Sequence, residues 1–203
     1  GADVLVENLR PGVLEKLGLG PDVLLARNPG LVVTRVTGFG QTGPYASRPG
    51  FATIAEAMGG VAAISGQPGG DPMMPAFALT DEVTGIVAAF ATMVALHSGH
   101  GQVVDVSLLE SIFHMLGPLI SVWLTRGELQ ERMGSGIPYT VPRGAYRCSD
   151  GKFIGLSTSS DSVAQRVMAL LGFSGDSSVA TFEGRVANRE RIETAMREWC
   201  AAR

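Results

Sequence analysis

Two β-branched runs fix the frame into which the rest of this chain has to fit. Residues 4–6 (VLV) make the first, and residues 31–36 (LVVTRV) make the second. Between them, Val13, Leu14 and Leu17 share a helical face, residues 18–21 break it, and residues 23–26 give a further short helical turn. The second run alternates poorly, as a strand buried on both faces does. Strand, helix and strand in that order predict a parallel α/β unit. Two strands cannot be the whole sheet.

Beyond the second run lies a loop rich in Gly and Pro, residues 38–50, and then a helix predicted over residues 52–58. Long apolar helices are predicted over 81–97 and 107–124, with the strand-like "GQVVDVSLLES" between them. From Thr125 the chain turns polar, which places a boundary there. Residues 1–125 read as part of a large α/β domain, and 126–203 as a linker and a small α+β domain. In the latter, "GAYRCSDGKFIGLST" predicts a β-hairpin with Asp150-Gly151 at its turn, followed by helices over 161–171 and 189–202.

Composition excludes several classes. The net charge is -3 in 203 residues, so there is no basic footprint for nucleic acid. Cys148 and Cys200 stand far apart and read as reduced thiols, not as a disulfide framework. His97, His100 and His114 have no Cys or carboxylate at zinc-ligand spacing, so no metal site is predicted. The apolar runs at 86–96 and 112–124 fall short of the roughly 20 residues that span a bilayer. They read as buried helices of a cytoplasmic protein.

Asp81 is the residue with two readings. In "ALTDEVTGIVAAF" it stands at the head of an apolar helix, where it can cap the helix and complement its dipole. A carboxylate held there is also what nucleophilic attack on an acyl thioester requires. The glycines at 38, 40, 43 and 50 fit no nucleotide-binding fingerprint and can serve simply as turn formers. For Arg10, Lys16, Arg35 and Arg48 the default is solvated surface charge. At strand ends of a parallel unit they would also suit an anionic ligand.

Four collinear blocks carry more than these local readings. "DVLVENLRPGVLEKLGLG", "NPGLVVTRVTGFGQTGPYASRPGFATIAEAMGG", "ALTDEVTGIVAAF" and "GHGQVVDVSLLES" together resemble the class III CoA-transferase family of the CaiB/BaiF type. The resemblance runs in order over residues 3–113 and continues more loosely toward the C-terminus.

The resemblance implies part of a parallel Rossmann-like sheet domain with long connecting helices, and the start of a smaller α+β domain. It implies transfer of coenzyme A from an acyl-CoA to a free carboxylic acid through an aspartyl-acyl anhydride on Asp81. CoA contacts carry over to Asn8, Leu9, Arg10 and Lys16, and to Arg48, Pro49, Gly50 and Phe51. Gly134 and Gly136 fall near the family's glycine-rich active-site loop, although glycine is sparser here. No permanently bound cofactor is implied, since CoA and acyl-CoA are substrates, and no membrane partner. The family's racemases carry His then Asp where this chain has Phe51 and Ala52, and a phenyl ring cannot shuttle protons, so transfer is favoured over racemase or isomerase chemistry. Family chains are interlocked homodimers about twice as long. The sequence therefore reads as an internal fragment, which in isolation can be inactive.

Overall fold

The computed structural model describes residues 1–203, which divide into two compact units. The first holds residues 1–65 and 72–129, and the second holds residues 66–71 and 130–203.

In the first unit, β1 (Val4–Glu7), β2 (Val32–Thr37) and β3 (Gln102–Ser107) form a parallel sheet in the order β1-β2-β3. Val4 lies beside Val32, and Val32 beside Gln102. The β1–β2 crossover is made by α1 (Val13–Lys16) and α2 (Pro21–Arg27), with Pro21 at the first helical position, where its missing N–H costs nothing. The β2–β3 crossover carries α3 (Ala52–Met58), α4 (Val61–Ile64) and α5 (Leu79–His97). Central β2 is the most buried strand, with Val32 and Val33 fully enclosed. Parallel strands covered on both faces need this continuous apolar character.

Helix α5 packs on β2 and β3, and it buries Thr80, Thr84, Ala88 and Ala95, a stripe of small side chains. Thr34 of β2 and Thr92 of α5 share a 2.6 Å hydroxyl hydrogen bond across this contact. The expectation of a buried helix therefore holds for one face only. Ile86, Phe90 and Met93 on its other side are 64–72 % exposed. By length and composition α5 is apolar enough to cross a membrane.

Two further expectations change. The apolar run after β3 is not one helix but two, α6 (Leu108–His114) and α7 (Leu119–Arg126), bent by 75°. Gly117 with φ 56 and Pro118 interrupt the helical hydrogen bonds there, which continuous hydropathy could not reveal. Helix α5 starts at Leu79, not Asp81, because Leu79 packs against the Ala55, Leu108 and Ile112 cluster.

In the second unit, β4 (Arg143–Arg147) and β5 (Phe153–Ser157) pair antiparallel as a hairpin, with Gly151 at φ 81 in its turn. Helices α8 (Asp161–Leu170), α9 (Phe182–Ala187) and α10 (Arg189–Ala201) follow. Val141, Met168, Val179 and Ile192 form one apolar cluster, and Tyr146, Met196 and Cys200 another. Both cysteines are free thiols. Burial, reinforced by the Glu193 carboxylate that accepts its hydroxyl at 2.9 Å, drives the Tyr146 phenol far above its ordinary range.

Candidate functional site

The carboxyl ends of all three parallel strands open into one cleft of about 500 Å³. Open α/β sheets take their ligands at this end, where backbone loops fan out from the strands. Asn8, Leu9, Arg10 and Pro11 follow β1, Gly38 and Phe39 follow β2, and Leu108 follows β3. The segment from Arg48 to Thr53 forms another wall, and Asp81 of α5 completes the lining. Of the site residues read from sequence, Asp81, Asn8, Leu9, Arg10, Arg48, Pro49, Gly50 and Phe51 thus share one cavity.

Lys16 is not part of that lining. It stands exposed in the last turn of α1. Gly134 and Gly136 belong to the second unit, where the Gly134 N–H donates to the Gly66 carbonyl at 2.8 Å and the Gly136 N–H to the Met133 carbonyl at 2.9 Å. All residues lining the cleft come from the first unit.

Asp81 does not cap its helix. The N-cap position is Ala78, no side chain caps the turn, and Asp81 is the third helical residue with an exposed side chain. It still lies in the first turn of α5. Its side chain is among those that line the cleft.

The loop after β1 is fixed from beneath by an ion network that sequence reasoning missed. Arg35 is neither solvated surface charge nor a cation open to an anionic ligand: it is 4 % exposed and paired with carboxylates. Parallel register sets Glu7 of β1 directly beside Arg35 of β2. The Arg35 Nε donates to Glu7 Oε1 at 2.6 Å, and its Nη1 donates to Glu15 Oε1 at 2.7 Å. Glu7 uses its other oxygen to accept the Leu9 N–H at 2.6 Å. Asn8 Nδ2 donates to the Val36 carbonyl at 3.1 Å. One guanidinium thereby ties together β1, β2 and α1, and the Glu7 carboxylate extends the tie to the backbone of the loop after β1. The Arg35 hydrogen bond also holds the Glu15 carboxyl below its ordinary range.

Arg48 is placed by aromatic stacking. Its guanidinium carbon lies 4.3 Å from the Tyr45 ring centroid, and Tyr45 in turn packs at 5.5 Å from Phe39. A cation held over a ring keeps its donors free for an anion. Neither Phe39 nor Tyr45 was singled out from sequence, although both sit in the quoted "GFGQTGPYASRPG".

Gly38 and Gly50 are needed for proximity, not for turning. A Cβ on Gly38 would stand 2.5 Å from the Gly50 Cα, and a Cβ on Gly50 would stand 2.8 Å from the Gly38 Cα. The two backbones touch at the floor of the cleft. Gly50→Ala should therefore push the 48–51 loop away and cost about 1–3 kcal/mol, by analogy with other overpacked sites. Chemical denaturation checks this. A variant as stable as the parent would show that the loop yields freely.

The chain has counterparts among known proteins. The family model for CoA-transferase family III matches residues 1–203. The succinyl-CoA–L-malate CoA-transferase beta subunit of Chloroflexus aurantiacus is 38 % identical, over 99 % of this chain and 52 % of its own length. The succinate–glutarate CoA-transferase of Agrobacterium fabrum is 35 % identical, over 98 % of this chain and 52 % of its own. Among solved structures, a Mycobacterium tuberculosis protein matches with TM-score 0.83 at 31 % identity, covering all of this chain and 55 % of that one. A CaiB/BaiF family protein of Brucella suis matches with TM-score 0.78 at 32 % identity, covering all of this chain and 55 % of that one. The chain spans about half the length of these relatives. A parallel three-stranded sheet with its cleft at the carboxyl ends, a match along the whole chain and likeness in fold lead to one assignment: the chain belongs to CoA-transferase family III.

Proposed function

We propose that this chain is the CoA-binding, aspartate-bearing portion of an acyl-CoA:carboxylate CoA-transferase. The observation that carries the reading is that Asp81 opens onto the same cleft as Asn8–Arg10 and Arg48–Phe51. An Asp81 carboxylate oxygen attacks the thioester carbonyl, the C–S bond breaks, and CoA leaves as thiolate. Asp81 then carries the acyl group as a mixed anhydride. The thiolate attacks the Asp81 carbonyl carbon, expelling the donor acid and leaving an aspartyl thioester. The acceptor carboxylate attacks that thioester to form a second anhydride, and the thiolate returns to the acceptor's acyl carbon. Asp81 is regenerated, and no water is consumed.

Covalent catalysis suits this exchange because each step has a good leaving group. Arg10 and Arg48 supply cations for the CoA phosphates, and Phe51 and Phe39 supply apolar surface along the thioester arm. Phe51 lines the cleft and carries no proton-transfer group, which favours transfer over inversion at C2. Relatives act, by name, on succinyl-CoA, malate, citramalate and glutarate. Short dicarboxylic acids are accordingly the proposed acyl class.

The test is chemical trapping in a chain extended to the length of its relatives. During turnover with succinyl-CoA, hydroxylamine should convert the activated aspartyl carbonyl to a hydroxamate, which peptide mass spectrometry places at Asp81. A label confined to any other residue sinks the mechanism.

A further inference from the structure

We propose that Glu56 is a positioning residue for the reaction at Asp81, acting through the hydroxyl of Thr80. The proposal rests on the reading of Asp81 as nucleophile. Glu56 lies on α3 and is 4 % exposed, and Thr80 on α5 is fully buried. Thr80 Oγ1 donates to Glu56 Oε1 at 2.9 Å. Burying a carboxylate is costly, and a hydrogen bond from a neutral hydroxyl offsets only part of that cost. An apolar side chain of similar size would fill the space with less penalty, so packing alone does not account for a glutamate here.

What the bond joins is informative. Helix α3 begins directly after Phe51, and Phe51, Ala52 and Thr53 form one wall of the cleft. Thr80 immediately precedes Asp81, which also lines the cleft. The Glu56–Thr80 bond therefore ties the helix behind one wall to the turn that presents the carboxylate.

That turn needs a tie. No side chain caps α5, and first turns without caps fray. Beneath Asp81, Leu79 packs into the Ala55–Leu108–Ile112 cluster, and the Thr84 hydroxyl donates to the Thr80 carbonyl at 2.6 Å. Glu56 adds a hydrogen-bond acceptor for the Thr80 hydroxyl in that first turn. Asp81 is free to face the ligand because its two predecessors are anchored in the core. Near-attack geometry is demanding: a displacement of about 1 Å can cost a hundredfold in rate.

Removing the hydroxyl while keeping the shape is the direct test. In the extended chain, single-turnover release of CoA thiol from succinyl-CoA is compared with CoA affinity from calorimetry. Thr80→Val should slow thiol release by about tenfold or more, with CoA affinity changed less than about twofold. Thr80→Ser should recover the rate to within about threefold of the parent. Glu56→Leu should slow release as Thr80→Val does, and the double variant should be no slower than either single one, since both remove the same interaction. Should Thr80→Val not fold, Thr80→Ala carries the same expectation.

An unchanged rate in folded Thr80→Val, a Thr80→Ser variant as slow as Thr80→Val, or additive losses in the double variant each overturn the positioning role. The Asp81 reading fails separately. If Asp81→Asn stays active, the nucleophile is wrong whatever Thr80 does; if it is inactive while Thr80→Val is fast, only the positioning role is lost.

Discussion

Asp81→Asn, in a chain extended to the length of its relatives, is expected to lower acyl transfer by about a thousandfold or more, the scale on which a lost nucleophile registers. The amide keeps the size and hydrogen-bonding capacity of the side chain but has no anionic oxygen to form the anhydride. Affinity for CoA should stay within about twofold, because the residues proposed to bind it sit on other segments of the lining. Asp81→Glu should recover little. Its extra methylene moves the oxygens by more than about 1 Å, which costs on the order of a hundredfold even with the right chemistry. Steady-state rates beside calorimetry with CoA separate the two effects. Retained turnover in Asp81→Asn would remove the proposed mechanism.

Arg35→Met is expected to have the largest effect on stability, about 3–5 kcal/mol, because it leaves the Glu7 carboxylate buried without its cation. Both side chains of that pair are only 5 % exposed. Glu7→Leu combined with Arg35→Met should recover much of the loss, since replacing a buried pair by apolar groups is often near neutral. Glu15→Gln should cost at most about 1 kcal/mol, because that carboxylate is partly in water. Urea midpoints at constant slope give the comparison.

The network also sets a pH dependence. The folded protein holds the Glu15 carboxyl below its ordinary range, chiefly through the Arg35 hydrogen bond. Its contribution is therefore present above the ordinary carboxylate range and fades as pH falls through the lowered value. Glu15→Gln, which leaves the Arg35–Glu7 pair in place, should flatten the acid limb of the stability profile. An acid limb unchanged in that variant would mean that Glu15 draws no stability from the contact.

How far the chain could be read in advance depended on the distance over which each feature is encoded. The helix over 52–58 and the β1, β2 and β3 strands were legible because their signals are local: β-branched runs, glycine breaks and helical spacing. The break at Gly117-Pro118 was equally local, and was missed because unbroken hydropathy at 112–124 outweighed it. Arg35 shows a different limit. Its partner Glu7 lies 28 residues away, and only the parallel register brings them side by side. The start of α5 depended on where Leu79 would pack, which requires α3 and α6 to be in place. For the site, the glycine and arginine segments could be placed at strand ends, but not the Tyr45 ring beneath Arg48 or the Glu56–Thr80 bond between helices.

The contact of Gly38 with Gly50 bears on selectivity. Where main chain rests on main chain there are no rotamers, so the base of the cleft cannot reshape itself around a new guest. Adaptation is left to the rim, where Phe39, Phe51 and the Arg48 side chain can turn. Evolution toward a different acid should therefore change those side chains and leave the two hydrogens of that glycine pair untouched.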